Sequence, residues 1–225
     1  MSEIVEKETV GKKVNSFIEN HKKGLLVAVI VIIALLVLYI IGFAVGKSIK
    51  EKDLAKIDEI TFTLVDDSMS ADEAELTTRR NTAMEELQAL TGKSGIVGAR
   101  ANMLCAELAY QLEKLDEAAS YWMATAAKAK KTYIEPIAFY NLGVCYEDLG
   151  KLEDAAANYK LAAENKDFVL NTHAQFSYGR TLEALNKYDE AFAVYNALNN
   201  QNPDDSWARL GKTRMLTLQA EGKAE

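Results

Sequence analysis

The hydrophobic positions of this chain follow two different patterns, and the first is a continuous run. From Gly24 to Val45 the chain contains no charged residue. Roughly 20 helical residues, each rising about 1.5 Å, cross the ~30 Å hydrocarbon core of a bilayer, and a helix satisfies its own backbone polar groups there. The run therefore predicts one transmembrane helix over residues 24–46, preceded by a short tail over residues 1–23.

A cleaved secretory signal is the alternative for this run. Ala44 and Gly46 stand before Lys47 at the spacing of the small residues that precede a cleavage site, but the apolar part of such a signal is only about 7 to 15 residues long. The orientation of the span stays open, because equal numbers of lysines flank it. They are Lys12, Lys13, Lys22 and Lys23 before the run, and Lys47, Lys50, Lys52 and Lys56 after it.

The second pattern has the period of an α-helix and occupies the rest of the chain. Only two prolines interrupt it, which favours long helices and short turns. The transmembrane helix is expected to continue to Val65, where a break begins. Ser70 and Glu73 have the spacing of a capping box that opens the next helix. A divergent helix pair is therefore predicted over residues 47–91.

Internal repetition indicates the fold of the remaining residues. The stretch Phe139-x2-Leu142-Gly143-x2-Tyr146, followed by Gly150, Ala155, Tyr159 and Ala162, resembles a tetratricopeptide repeat (TPR). Similar stretches predict copies over residues 99–132, 136–169 and 172–205, and Trp207-x2-Leu210-Gly211 begins a capping helix over residues 205–222. The predicted fold is all-α, a single N-terminal transmembrane helix followed by a TPR-type right-handed α-solenoid over residues 47–225. A generic helical bundle is the alternative.

Each copy has a small residue at the same position of its first helix. Ala106, Gly143, Gly179 and Gly211 recur at intervals of 37, 36 and 32 residues. A small side chain lets the two helices of one repeat approach closely, while large residues fill the space between repeats. Close helix–helix contacts are therefore predicted at these four positions.

The TPR resemblance also implies a binding groove, because in that family five positions of each first helix face a concave surface. Aromatic residues mixed with charges of both signs suit an extended or helical polypeptide segment. Tyr140 and Phe176 could instead pack inside the superhelix. Tyr140 and Val144 replace the Lys and Asn that a carboxylate clamp requires, which argues against capture of a chain terminus. The implied protein-binding residues are Arg100, Met103, Glu107, Tyr110, Gln111, Ile137, Tyr140, Val144, Glu147, Asp148, His173, Phe176, Arg180 and Glu183.

Composition excludes several other functions. The net charge of −7 argues against nucleic acid, whose binding depends on Lys and Arg. Cys105 and Cys145 form no metal or redox motif, and two buried, unbridged thiols are expected. The segment TGKSG at 91–95 lacks the spacing of a phosphate loop. We predict no catalytic residues, no cofactor, no metal and no small-molecule substrate, and hence no enzyme.

The whole layout resembles the YfgM-like ancillary subunits of the bacterial Sec translocon. The likeness consists of an acidic tail, the basic turn from Phe17 to Lys23, one span and irregular repeats, although the helix pair at 47–91 is divergent. It implies a single-pass inner-membrane protein with its N-terminus in the cytoplasm and its repeats in the periplasm. Its expected partners are Sec translocon subunits and a periplasmic chaperone. The alternatives are a tethered scaffold for another envelope assembly, in division, secretion or outer-membrane biogenesis, and a small-molecule binding module.

Overall fold

A computed structural model describes the backbone of residues 2–66, 68 and 71–224, and the side chains of these residues from Lys12 onward. Over this part of the chain the structure consists of nine α-helices and contains no strand, as the all-α prediction requires. The helices are α1 (Ser2–Val65), α2 (Glu73–Thr91), α3 (Gly95–Gln111), α4 (Leu115–Lys128), α5 (Ile134–Asp148), α6 (Leu152–Glu164), α7 (Asn171–Ala184), α8 (Tyr188–Gln201) and α9 (Ser206–Ala220).

Helix α1 carries the apolar run. Its most apolar stretch has a mean hydropathy of 3.3 and is not buried against any other part of the protein. By length and composition this helix can cross a membrane, a test that a signal sequence would also pass. The chain divides into two compact units, residues 1–52 and 53–225, with the boundary inside α1.

The start of α2 differs from the predicted capping box. Ser70 lies outside the described residues, and the N-cap of α2 is Asp72, whose carboxylate accepts a hydrogen bond of 2.8 Å from the backbone N–H of Glu75. An aspartate at this position satisfies an otherwise unpaired amide at the start of the helix. The predicted cap at Ser70 is therefore wrong: the helix begins at Glu73, directly after Asp72.

Three antiparallel helix pairs, α3–α4, α5–α6 and α7–α8, form the repeats, and α9 packs after them. A Cβ atom at Gly143 would lie 2.7 Å from a ring carbon of Tyr159, and one at Gly179 would lie 2.5 Å from a ring carbon of Tyr195. Both distances are shorter than van der Waals contact, so only glycine permits these approaches. The predicted alternation of small and large residues is confirmed at these two positions.

The turn between the two helices of each repeat is the same in all three copies. Glu113, Gly150 and Asn186 have positive φ angles of 57°, 71° and 59°. In the first turn the backbone N–H of Lys114 bonds to the carbonyl of Ala109, and the matching bonds occur in the other two. These are the hydrogen bonds of a Schellman motif, whose left-handed residue is best supplied by glycine. Only the second repeat has glycine there.

The residues just before the repeats share their hydrophobic core. Ile57 and Ile60 of α1 are 1% and 4% exposed, and they belong to the same cluster as Met84 and Leu87 of α2. This cluster continues through α3 and α4 to Leu142 and Cys145 of α5. The last thirteen residues of α1 are therefore part of the folded repeat unit.

Candidate protein-binding groove

A cleft with a volume of about 610 Å³ lies beside the second repeat. The beginning of α5 forms one wall, and the loops before α5 and before α7 form the others. Around it, Tyr133, Val169 and Leu170 are 72%, 93% and 43% exposed. Such side chains normally leave water when the protein folds, so their exposure together is informative. We call this site the repeat-2 cleft; its lining residues are Lys131, Thr132, Tyr133, Pro136, Ile137, Tyr140, Asn141, Asn165, Asp167, Phe168, Val169 and Leu170.

Two of the predicted groove residues, Ile137 and Tyr140, line this cleft. Tyr140 is half-buried, and its ring centroid lies 5.6 Å from that of Tyr159, 6.1 Å from that of Phe168 and 5.2 Å from that of His173. Its hydroxyl lies 3.0 Å from Nδ1 of His173, and burial raises its pKa. Tyr140 is therefore held inside an aromatic cluster and presents one edge to the cleft.

His173 and Phe176 of α7 pack against the capping helix. The imidazole of His173 stacks on Trp207 of α9 at a centroid distance of 3.7 Å, with 7° between the planes. Phe176 lies 5.4 Å from Trp207 and 5.7 Å from Tyr195. Burial and, next, the nearby Arg180 lower the pKa of His173, which favours the neutral ring. For Tyr140, His173 and Phe176, internal packing therefore occupies much of the surface that the sequence assigned to a partner.

Three junctions connect the successive first helices: the first joins α3 to α5, the second α5 to α7 and the third α7 to α9. At the second junction Glu147 accepts a 2.9 Å hydrogen bond from the hydroxyl of Tyr159 and pairs through both oxygens with Arg180, one contact being 2.7 Å. Bidentate arginine–carboxylate pairs are among the stronger polar contacts in proteins.

The third junction repeats this arrangement. Glu183 accepts a 2.6 Å hydrogen bond from the hydroxyl of Tyr195 and one of 3.1 Å from Nε of Arg214, and a second arginine nitrogen binds its other oxygen. Burial alone would raise the pKa of Glu183, but the hydrogen bonds from Arg214 and Tyr195 outweigh it and hold the pKa below its usual value. We call each set of three residues a Tyr–Glu–Arg lock.

Among the residues that the structure describes, the first junction has no such lock. Tyr110 stands where Glu147 and Glu183 stand in the later repeats, and its hydroxyl donates a 2.7 Å hydrogen bond to Asp148. That hydrogen bond, followed by burial, raises the pKa of Tyr110 to about 12. Next to this pair is a smaller cavity of about 140 Å³, lined by Glu107, Tyr110, Gln111, Trp122, Asn141 and Val144.

The other predicted groove residues of α3 have partners on α1 and α2 or in the core. Arg100 forms an ion pair of 2.7 Å with Asp58. Gln111 accepts a 3.0 Å hydrogen bond from Arg80. Met103 packs against the hydrophobic core. Six of the fourteen predicted groove residues line cavities of this surface: Glu107, Tyr110, Gln111, Ile137, Tyr140 and Val144.

Four residues of the groove were not foreseen as members of it. Tyr159 and Tyr195 lie in predicted repeats, and Trp207 and Arg214 lie in the predicted capping helix, but none of them was predicted to border the groove. A usable signal was present, because a tyrosine follows a glutamate by twelve positions in both later repeats. The arginine comes from the next first helix, so the lock becomes visible only when adjacent copies are read together.

The two cysteines of the chain lie in its core. Cys105 and Cys145 are buried and unbridged, as expected, and burial, followed by a neighbouring acid, raises their pKa to about 12 and about 11. Thiols of this kind are unreactive. Over the part of the chain that the structure describes, no three His, Cys, Asp or Glu side chains come together as a metal site would require.

The fold is an array of helical pairs with open clefts, and family models show which class of repeat parts of it match. Tetratricopeptide repeat family models match residues 104–169 and residues 172–205. Repeats of this class typically serve as non-catalytic scaffolds that bind proteins on their concave surface.

Similar proteins include one sequence relative and two solved structures. A TPR repeat-containing protein of Treponema pallidum (strain Nichols) is 28% identical over 130 residues, which cover 58% of this chain and 54% of that protein. This chain thus matches about half the length of that relative. Among solved structures, TPR-like repeats of a kinesin light chain from Podosopora anserina superpose with a TM-score of 0.60 at 11% identity, over 75% of this chain and 88% of that one. The MamA protein gives 0.47 at 19% identity, over 57% and 70%. The kinesin light chain likeness confirms the TPR-type solenoid fold.

Proposed function

We propose that this protein is a membrane-anchored TPR adaptor that binds segments of partner proteins, as an ancillary component of the Sec translocon and the periplasmic chaperone network. Its N-terminus lies in the cytoplasm, α1 crosses the inner membrane, and the repeats occupy the periplasm. The layout of the sequence, with one apolar helix ahead of the repeats, supports this assignment. The protein acts by holding its partner and performs no chemistry on it.

The repeat-2 cleft carries the binding part of the proposal. Val169 is 93% exposed and Tyr133 is 72% exposed, and both border an open volume whose floor is formed by Ile137 and Phe168. A partner that covers these side chains removes apolar surface from water, which stabilises a complex by roughly 25 cal/mol for each Å² buried. Aromatic side chains at the centre of such a surface are common contributors to affinity.

Site-specific photocrosslinking in intact membranes tests the choice of partner. A photoreactive amino acid at Val169 is expected to label subunits of the translocation channel or a periplasmic chaperone. The matched control is the same amino acid at Leu161, an exposed apolar residue on the second helix α6 of the same repeat. Labelling of an unrelated envelope assembly from Val169 would replace this proposal with the tethered-scaffold alternative. Equal labelling from both positions would contradict a binding role for the cleft.

Topology requires a separate test. Protease added outside spheroplasts should degrade the repeat unit, and the mature chain should retain the residues before Gly24. Protection of the repeats would place them in the cytoplasm and contradict the translocon role. Loss of the N-terminal residues would show that the apolar run is a cleaved signal. If small-molecule analogues, and not peptides, competed with crosslinking, the small-molecule binding alternative would gain.

A further inference from the structure

The first junction contains an unfilled space where the later junctions contain an arginine. Arg180 and Arg214 extend from α7 and α9 to the carboxylates of Glu147 and Glu183. In α5, aligned on the small residues Gly143, Gly179 and Gly211, the position that matches Arg180 is Val144 and the position that matches Arg214 is Tyr146. No side chain of α5 can therefore supply a cation to the first junction.

The resulting cavity, which we call the Glu107 pocket, has room for one side chain, since its volume is about 140 Å³. Glu107 forms one wall, and the rings of Tyr110 and Trp122 form others. Carboxylates and aromatic faces are the two protein groups that attract a cation most strongly. The side chain of Asp148, which accepts a hydrogen bond from Tyr110, adds a second negative charge beside the pocket.

Glu107 is available to such a cation. The residue is exposed and forms no ion pair within the described residues, and partial burial raises the pKa of its carboxyl group. The arginines that share the neighbouring cleft with it have partners of their own. Arg79 binds Glu75, and Arg80 binds Glu73 and Gln111.

We propose that the Glu107 pocket binds a basic side chain, arginine or lysine, that projects from a partner polypeptide lying in the groove. The guest cation takes the place that Arg180 and Arg214 fill within the chain at the later junctions. Asn141 lines both this pocket and the repeat-2 cleft, so the two sites are neighbours. The segment that fits both carries an apolar residue for the cleft and, a few residues away, a basic residue for the pocket. This inference rests on the proposed function and specifies the chemistry of the partner.

Peptide libraries that differ at one position provide the test. The full chain in detergent micelles is titrated with short, fluorescent peptide libraries that hold arginine, its neutral isostere citrulline, glutamate or leucine at one position and are randomised elsewhere. Arginine libraries should bind about tenfold more tightly than citrulline libraries, which corresponds to one charge-assisted contact. Glu107→Gln should remove this preference. Val144→Arg should remove it as well, because it fills the pocket from within the chain. Glu153→Gln, an exposed carboxylate on α6, is the matched control and should leave the preference intact.

The outcomes separate this inference from the proposed function. If arginine and citrulline libraries bind equally, or if Glu107→Gln keeps the preference, the basic-residue pocket is wrong. The adaptor function survives that result as long as Val169→Asp weakens peptide binding. If no library binds at all, both proposals are wrong. Helical circular dichroism of each variant, compared with the unmodified chain, ensures that a lost preference does not result from unfolding.

Discussion

The first junction and the two later junctions of this protein join equivalent helices, but their polar side chains differ. At the later junctions a glutamate, a tyrosine and an arginine from three different helices satisfy one another. At the first junction Tyr110 replaces the glutamate, Trp122 replaces the tyrosine and Val144 replaces the arginine. The later junctions are filled, whereas the first retains the Glu107 pocket.

This difference suggests separate roles for the junctions, one in stability and one in binding. A buried polar group is stable only when its hydrogen bonds are made, and a completed lock leaves little for a partner to gain. The first junction keeps an acidic side chain without an ion-pair partner among the described residues, next to exposed apolar surface in the repeat-2 cleft. Under the function proposed above, the two locks stabilise the array and the first junction contacts the partner.

The largest predicted effects are on the free energy of unfolding. They compare the buried aromatic residue of a later junction with that of the first junction. Tyr195 and Trp122 are 0% and 2% exposed, so Tyr195→Ala and Trp122→Ala should each lower the free energy of unfolding by about 3–5 kcal/mol. Tyr133→Ala removes an exposed aromatic residue and should change it by no more than about 0.5 kcal/mol. Urea unfolding followed by circular dichroism measures all three. A loss for Tyr195→Ala no larger than that for Tyr133→Ala would contradict the described core.

A double-mutant cycle on the lock should give the next largest effect. Glu147→Gln and Arg180→Met are expected to show a coupling energy of about 1 kcal/mol, because the side chain of Arg180 is 50% exposed and solvent weakens the ion pair. The coupling should fall as salt is added. The matched cycle at the first junction, Tyr110→Phe with Asp148→Asn, contains only one charge and should depend less on salt. If the coupling energy and its salt dependence were equal at both junctions, the proposed difference between an ion-paired and a singly charged junction would be wrong.

The architecture could be predicted from the sequence because small residues recur at the same position of each repeat. Gly143 and Gly179 could be recognised from their spacing alone, and the structure confirms that each touches a large ring of the following helix. The contacts between repeats were harder to predict, since they join side chains more than thirty positions apart, as Arg180 and Glu147 are. Whether Tyr140 faced a partner or the protein interior depended on His173 and Phe168, whose positions follow from the superhelix and not from the local pattern.

The turns between paired helices offer a smaller and more local comparison. Glu113 has a φ of 57° in the first repeat, where the second repeat has Gly150. A side chain in this left-handed conformation costs about 1 kcal/mol, so Glu113→Gly should raise the free energy of unfolding by about 0.5–1 kcal/mol. Asn186→Gly should raise it less, since asparagine tolerates this conformation. Thermal unfolding gives both values. A destabilising Glu113→Gly would mean that the side chain makes a contact worth more than the backbone strain.

The smallest predicted effect concerns pH and has opposite signs at the two kinds of junction. The folded protein holds the pKa of Glu183 below its ordinary value of 4.5, so its ionised form stabilises the fold above that pH, and this contribution disappears as the pH falls through the lowered pKa. The folded protein raises the pKa of Glu107 above 4.5. Its ionised form therefore destabilises the fold at neutral pH, and protonation relieves this as the pH falls through the raised pKa.

Replacement of each carboxylate by its amide should reveal the two signs. Glu183→Gln should lower the free energy of unfolding at pH 7, and the loss should shrink below about pH 4.5, the usual range of a glutamate. Glu107→Gln should raise it at pH 7, and this gain should shrink at higher pH than the Glu183 loss does, because the raised pKa is reached first on acidification. Urea titrations from neutral to acidic pH, with Glu153→Gln as the matched control, measure both changes. If both replacements destabilised the protein at pH 7, Glu107 would have a cationic partner within the chain, and the first junction would be locked like the others.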